Sequence, residues 1–228
     1  FDVDGTLLDT MPLFWPSWPE WGELYGFVVT EDDFYGYAGW PMPDILRSLY
    51  EREKNCKVDD SFVDELLASY MRIHRRRMKD LDPPVPIAAV VAKAREHVAA
   101  GIPIVAATSG IRETVVHHLQ AANLADIFPP ERIVCAADVG PGRGKPKPDI
   151  FVRAAELIGA NPARCVAYED AEAGFEAAWR AGCKVIDVRD YPDYPCPAAL
   201  RRAMQKQRAA RTWLKECNSS RTSFCPCC

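Results

Sequence analysis

Several features that would settle the class of a protein at once are missing from this 228-residue sequence. It has no apolar run of about 18 residues, so no membrane-spanning helix is expected. Positive charge is not in excess: 28 Lys and Arg face 32 Asp and Glu, a net −4. A chain so balanced has no global field to attract nucleic acid or an anionic membrane, and neither is expected as a partner. No internal repeat of roughly 20–50 residues is visible, which argues against solenoids and propellers. The composition of intrinsic disorder is absent too, because 48% of residues are apolar and 26% charged. A disulfide framework is equally missing. Of nine cysteines, Cys56, Cys135, Cys165, Cys183 and Cys196 stand alone, and Cys217, Cys225, Cys227 and Cys228 crowd the last twelve positions. Their number is odd, their spacing irregular, and no His lies near the final group, so neither regular pairing nor a zinc site is expected. Thiols in apolar runs, Cys135 and Cys165 among them, fit small buried side chains in a reducing compartment, cytoplasmic or organellar.

What is present is an alternation. Helical patterns are expected over residues 86–100, 111–122, 148–158 and 171–181, and short apolar strands over 102–107, 132–137, 165–169 and 184–188. Strands alternating with helices predict an α/β fold: a doubly wound, Rossmann-like parallel sheet covered on both faces. Residues 11–82 break the alternation with helical patterns alone, chiefly over 43–53 and 60–78, and rejoin it at the proline-rich stretch 82–86. The expected organisation is therefore an α/β core of residues 1–10 and 83–195, a helical cap over 11–82, and a basic, Cys-rich tail over 196–228. The basic run at 198–215 reads as a solvated surface helix. Pro12, Pro16 and Pro19 oppose a long first helix in the insertion, which is expected to begin late, near Trp18. Trp15, Trp18, Trp21 and Trp40 read as core of the insertion or as lining of a pocket.

Four motifs occur in order. Asp2-Val-Asp4-Gly-Thr6 sets two carboxylates two residues apart, and in extended backbone such residues face the same side. The missing acidic ligands further on argue against an EF-hand loop. Thr108-Ser109-Gly110, between a strand and a helix, offers a hydroxyl and free N–H groups, either as a helix cap or as a seat for an anion. Gly140-Pro-Gly-Arg-Gly-Lys145 is no Walker loop, because Pro146 stands where Ser or Thr is needed. It can instead deliver a lysine. Glu169-Asp170 ends a strand, where paired acids can hold a divalent cation or cap the next helix.

Taken in order, the four motifs resemble the haloacid dehalogenase-like hydrolase superfamily over roughly residues 1–190. About 100 residues separate the first two motifs, and only 37 positions separate Thr108 from Lys145. That spacing suits a helical cap inserted after the first motif, as in the branch holding beta-phosphoglucomutase and its phosphatase relatives. The resemblance implies catalytic roles for Asp2, Asp4, Thr108 and Lys145, with Asp2 as nucleophile and Asp4 as general acid and base. It implies phosphate binding by Thr108, Ser109, Gly110 and Lys145, and Mg²⁺ held by Asp2, the Asp4 carbonyl, Glu169 and Asp170. The function implied is Mg²⁺-dependent hydrolysis of a small phosphorylated metabolite, a sugar phosphate or phosphoglycolate-like compound, through an aspartyl-phosphate. A sugar phosphate mutase and an inactive binding protein on the same fold are the alternatives.

Departures bear on the choice. The mutases usually offer a His soon after the Asp9-Thr10 pair and an Arg further on to grip a second phosphate. Here Phe14 stands near the first place and residues 39–43 supply no Arg. That favours hydrolysis. Ala171 stands where the family often has Ser. A monomer is expected. Only Phe1 precedes Asp2, although the family's first strand is the centre of the sheet, so the sequence is expected to be part of a longer native chain.

Overall fold

The computed structural model describes residues 1–79 and 82–210. Among these, the chain enters and leaves a helical insertion side by side. β1 (Leu8–Asp9) pairs antiparallel with β2 (Val85–Pro86), Leu8 opposite Pro86 and Asp9 opposite Val85. Between them run α1 (Met11–Phe14), α2 (Ser17–Leu24), α3 (Glu31–Gly36), α4 (Met42–Lys54) and α5 (Asp60–Met78). Then come α6 (Ala88–Ala99), β3 (Ala106–Thr108), α7 (Arg112–Ala121), β4 (Ile133–Cys135), α8 (Asp149–Leu157), β5 (Val166–Glu169), α9 (Glu172–Arg180), β6 (Lys184–Asp187) and α10 (Ala198–Ala210).

β3 pairs in parallel with β4, and β5 with β6. Residues 1–4 lie between the two pairs. The Phe1 amino group donates to Val105 O at 2.9 Å, Ala107 N donates to Phe1 O at 2.7 Å, and Asp2 N donates to Tyr168 O at 3.0 Å. The order is thus β4, β3, residues 1–4, β5, β6, the doubly wound parallel arrangement expected. Side chains alternate across it with the period of two that pleated strands impose. Phe1, Val3, Ala106, Ile133, Cys135 and Tyr168 pack against Val90 and Ala94 of α6 and Val115 and Leu119 of α7. Val105, Ala107, Val134 and Ala167 pack on the other face against Ile150 and Phe151 of α8 and Ala177 and Ala178 of α9.

The strands are shorter than their apolar runs. Ile102 is exposed, and the strand on that run spans only Ala106–Thr108. Beyond Cys135 the backbone turns into a 3₁₀ segment, with Cys135 N bonded to Asp138 Oδ2 at 2.7 Å. Cys165 is only half-buried, a correction to the reading of it as interior. Among the described residues, no helix is long and apolar enough to cross a membrane.

α1 to α5 form a layer with its own aromatic core. Trp21, Leu49 and Leu66 are almost wholly buried, and Trp21 Nε1 donates to Ser69 Oγ at 3.1 Å. The prolines break the segment as expected, into one-turn α1 with Pro12 at its start and a fresh helix from Ser17 after Pro16, although a helix already begins at Met11 and Pro19 is accommodated in the first turn of α2. α3 opens on a capping box between Thr30 and Asp33, and α5 on the Asp59 carboxylate accepting from Phe62 N.

The reading of the basic run as a solvated helix is corrected over 198–210, and residues 211–215 lie outside the described residues. α10 buries Ala199, Leu200, Ala203 and Met204 in the aromatic core beside Phe34 and Tyr35, leaving its basic face outward. Apolar area removed from water, about 25 cal/mol per Å², outweighs the solvation of a helix whose charges can stay wet. Lys206 Nζ reaches Asp32 Oδ2 at 2.7 Å and Gln207 Nε2 reaches Tyr35 O at 3.1 Å, both in α3. On the α/β side, Arg208 meets Asp190 at 2.6 Å, and Arg189, bidentate to Asp187 at 2.8 Å, donates to Gln207 Oε1 at 3.2 Å. Cys217, Cys225, Cys227 and Cys228 lie outside the described residues.

Candidate active site

Pairing of residues 1–4 into the middle of the sheet brings Asp2 to the carboxyl ends of β3 and β5, the crevice where doubly wound sheets hold ligands. Buried there, the Asp2 carboxylate accepts from Lys145 Nζ at 2.6 Å. Lys145 is 1% exposed and bonds the Glu169 carboxylate as well, so one ammonium bridges two acids. Glu169 in turn accepts through Oε2 from Asp170 N at 3.0 Å and Ala171 N at 3.2 Å. Gly174 is obligatory beneath it, since a Cβ there would run into the Glu169 carboxylate. Asp170 accepts from Thr6 Oγ1 at 2.9 Å. Gly5, at φ +85°, turns the backbone directly under the Asp170 carboxylate, where a side chain would collide with it.

Electrostatics follow from this crowding. Burial pushes the Asp2 and Glu169 carboxyls up, with Lys145 pulling each back. Asp170 is pushed well up by burial and by the neighbouring Glu169 and Asp2. Burial opposes a charge on Lys145, but Asp2 and Glu169 together push its pKa up, so it is ammonium at neutral pH. Asp4 is half-buried, and burial raises its pKa while the Thr10 hydroxyl beside it opposes the shift. Its Oδ1 is buried without a hydrogen-bond partner among the described residues. A carboxyl in that state can carry a proton, which an acid catalyst needs.

Asp2, Glu169 and Asp170 place one oxygen each within 4.8 Å of one another. Among the described residues, these buried carboxylates outnumber the one ammonium that touches them, Lys145, and every ligand atom on offer is oxygen. That set fits a hard divalent cation.

The sequence-predicted residues come together, with two differences in detail. Thr108 is buried at the end of β3, but its Oγ1 accepts from Gly110 N at 2.9 Å, so that N–H is engaged within the loop. Ser109 Oγ donates across to Gly39 O at 2.7 Å, tying the loop to the helical layer. Above Asp2, Asp4 and Thr108 opens a cavity of about 120 Å³. Phe14 and Trp18 line it, as do Phe34, Ile45 and Tyr70. Of the other tryptophans, Trp21 is core, Trp15 packs on Phe34 with ring centroids 5.5 Å apart, and Trp40 is 38% exposed.

Sequence reasoning passed over three contributors. Thr6 counted only as the last residue of the first motif. His74 lines the cavity four residues after Tyr70, on which its ring stacks at 5.7 Å. The (i, i+4) spacing on one helix face was the available signal. His118, on α7, is buried with neither ring nitrogen bonded among the described residues, and Phe14 lies against both histidines.

A profile of haloacid dehalogenase-like hydrolases matches residues 1–188. The chain belongs to that family, and it is an enzyme of the phosphoric monoester hydrolase class. It is 31% identical over 191 residues to fructose-1-phosphate phosphatase YqaB of Escherichia coli (strain K12), covering 83% of this chain and 94% of that protein. Hexitol phosphatase A of the same organism is 28% identical over 195 residues, 86% of this chain and 84% of its own length. Among solved structures, a hydrolase from Pseudomonas syringae superposes with a TM-score of 0.71 at 25% identity, covering 89% of this chain and 88% of its own.

Proposed function

We propose that the chain is a Mg²⁺-dependent phosphatase that hydrolyses a small phosphorylated metabolite through an aspartyl-phosphate on Asp2. The observation that carries this reading is the buried Asp2–Lys145–Glu169–Asp170 cluster, whose Asp2 reaches a cavity lined also by Asp4 and Thr108. In this reading α1 to α5 act as the cap over an α/β core. Asp2, the Asp4 carbonyl and Asp170, backed by Glu169, would hold Mg²⁺, which supplies neutralisation of phosphate charge and alignment of the attack.

The chain's own groups account for the rest. Asp2 attacks phosphorus in line, and the bond from phosphorus to the alcohol oxygen breaks. Protonated Asp4 gives its proton to the departing oxygen. The Thr108 hydroxyl and the Ser109 N–H hold phosphoryl oxygens, and Lys145 balances charge between them and Asp2. Water then attacks phosphorus, Asp4 takes its proton, and inorganic phosphate leaves with Asp2 restored. The helical layer above keeps bulk water from intercepting the first step.

Sugar phosphates come first as substrates, since two relatives are phosphatases of a fructose and a hexitol phosphate by name. Phosphoglycolate-like compounds follow. Among the described residues, those lining the cavity include no Lys or Arg, which favours hydrolysis over a mutase that must grip a bisphosphate while it turns. A phosphate-release screen over a metabolite panel, with Mg²⁺ and with a chelator, tests the proposal. Metal-dependent release is expected. Isomerisation stimulated by a bisphosphate would make the chain a mutase, and silence a binding protein.

A further inference from the structure

Three side chains from two helices bring polar atoms to the helical wall of the cavity. Trp18 of α2 lines it, and so do Tyr70 and His74, one turn apart on α5. His74 Nδ1 is engaged with Ser17 Oγ at 3.4 Å, and burial lowers its pKa to about 4, so the ring is neutral at pH 7 with Nε2 as its remaining polar atom. Trp18 differs from the other two. It is 5% exposed, and its Nε1 is buried with no hydrogen-bond partner among the described residues, although the Tyr70 hydroxyl is its neighbour. An indole N–H only donates, so only an acceptor satisfies it, and burying it unpaired is costly. Asp4 Oδ1, on the other side of the same cavity, is likewise unpartnered. Asp4 meets its partner in the ester oxygen that it protonates. Trp18 still needs one. Among the described residues no Lys or Arg lines the cavity, so a second anion would be buried there without a counter-charge, and a neutral oxygen suits the indole better.

We propose that Trp18 is a specificity-determining residue, its Nε1 donating to a hydroxyl oxygen on the alcohol part of the substrate. This rests on the phosphatase reading and deepens it: polyhydroxy phosphate monoesters are selected because an ester without hydroxyls leaves the buried indole N–H unpaired. With the phosphate against Asp2 and Thr108, the carbon chain runs toward α2 and α5. The Tyr70 hydroxyl and His74 Nε2 are then at hand for further hydroxyls, which both give and accept hydrogen bonds.

The test compares esters that differ in hydroxyls and proteins that differ in one N–H. Sorbitol 6-phosphate and hexyl phosphate have carbon chains of the same length, but only the first carries further hydroxyls. Each is titrated calorimetrically, with Mg²⁺, into the Asp2→Asn protein and into the same protein carrying Trp18→Phe. Loss of ring area weakens both esters, so the N–H shows in the difference between the two losses. Trp18→Phe is expected to weaken sorbitol 6-phosphate about threefold or more beyond its effect on hexyl phosphate. Equal losses, or no binding of sorbitol 6-phosphate to the Asp2→Asn protein, overturn the inference. Replacing Trp18 by β-(3-benzothienyl)alanine keeps the outline of the ring without the N–H; it should give the same unequal loss, and it decides the matter if Trp18→Phe does not fold. Phosphate release by the unaltered protein tests the reading beneath. Unequal losses with no phosphate released from sorbitol 6-phosphate leave the inference standing and remove the phosphatase reading.

Discussion

The two walls of the cavity are made from different chemistry by different parts of the chain. On the α/β side, backbone pairing and turns bring Asp2 and Asp4 to the cavity and set Lys145, Glu169 and Asp170 behind them, with Lys145 bridging Asp2 and Glu169. On the helical side, aromatic and aliphatic groups predominate, and the polar atoms sit on Trp18, Tyr37, Tyr70 and His74, none of them charged at neutral pH. A site made this way divides its labour: changes on the ionic wall should alter the rate of bond breaking, and changes on the apolar wall should alter stability or the choice of ester.

The sharpest way to break that division is Asp2→Asn. The amide cannot attack phosphorus, so turnover should vanish while the melting temperature holds, as read by phosphate release and calorimetry. Retained activity would remove Asp2 from the mechanism. Asp4→Asn comes next, with an expected loss of about 10²–10⁴ in kcat, because both proton transfers pass through it. Lys145→Ala should crack the ionic wall itself. Activity should fall by roughly 10²–10³, and Asp2 and Glu169, left buried without their cation, should cost about 3–5 kcal/mol of stability in urea unfolding. Leu49→Ala tests the other wall's foundation: about 2–5 kcal/mol of stability lost, with kcat unchanged at a temperature where the variant is folded. Loss of kcat there would show the two walls to be one unit.

The smallest effect sits at their seam. Burial lowers the pKa of His118 from 6.5 to about 4. Below pH 6.5 the unfolded chain takes up a proton that the folded chain refuses until about pH 4, so stability from this group falls across that window. His118→Leu should therefore lose less of its melting temperature than the unaltered protein between pH 7 and pH 5, by about 2–4 °C. An identical acid limb would mean that His118 is not buried as a neutral ring.

Legibility in the sequence followed the range of the forces involved. The alternation of strands and helices was readable because buried strands such as Ala106–Thr108 and helices such as Asp149–Leu157 carry local periodicity. The helical insertion was readable from spacing and from the prolines around 82–86. The charged cluster was readable only as a set of motifs whose order resembles a family; nothing local says that Lys145 will bridge Asp2 and Glu169. What stayed hidden was contact between distant weak signals. The small apolar residues of α10, Ala199 and Ala203 with Leu200 and Met204, were masked by the surrounding Arg and Lys. Their docking on Phe34 and Tyr35 depends on surfaces over 160 positions away. A His within a helix reads as bland core, so His74 and His118 gave no hint that they flank Phe14, which lines the cavity.

The placement of residues 1–4 between β3 and β5 has a consequence in time. The contacts that build the carboxylate cluster span 104, 143 and 164 positions, from Phe1 to Val105, Asp2 to Lys145 and Thr6 to Asp170. Helices α4 and α5, by contrast, meet as neighbours. A growing polypeptide can therefore complete those local pairs long before Glu169 and Asp170 exist, and closing the long loops comes last. Emergence of Asp170 from the ribosome is the earliest moment at which the nucleophile can meet all of its partners, so a chain not yet grown that far carries no assembled reaction centre.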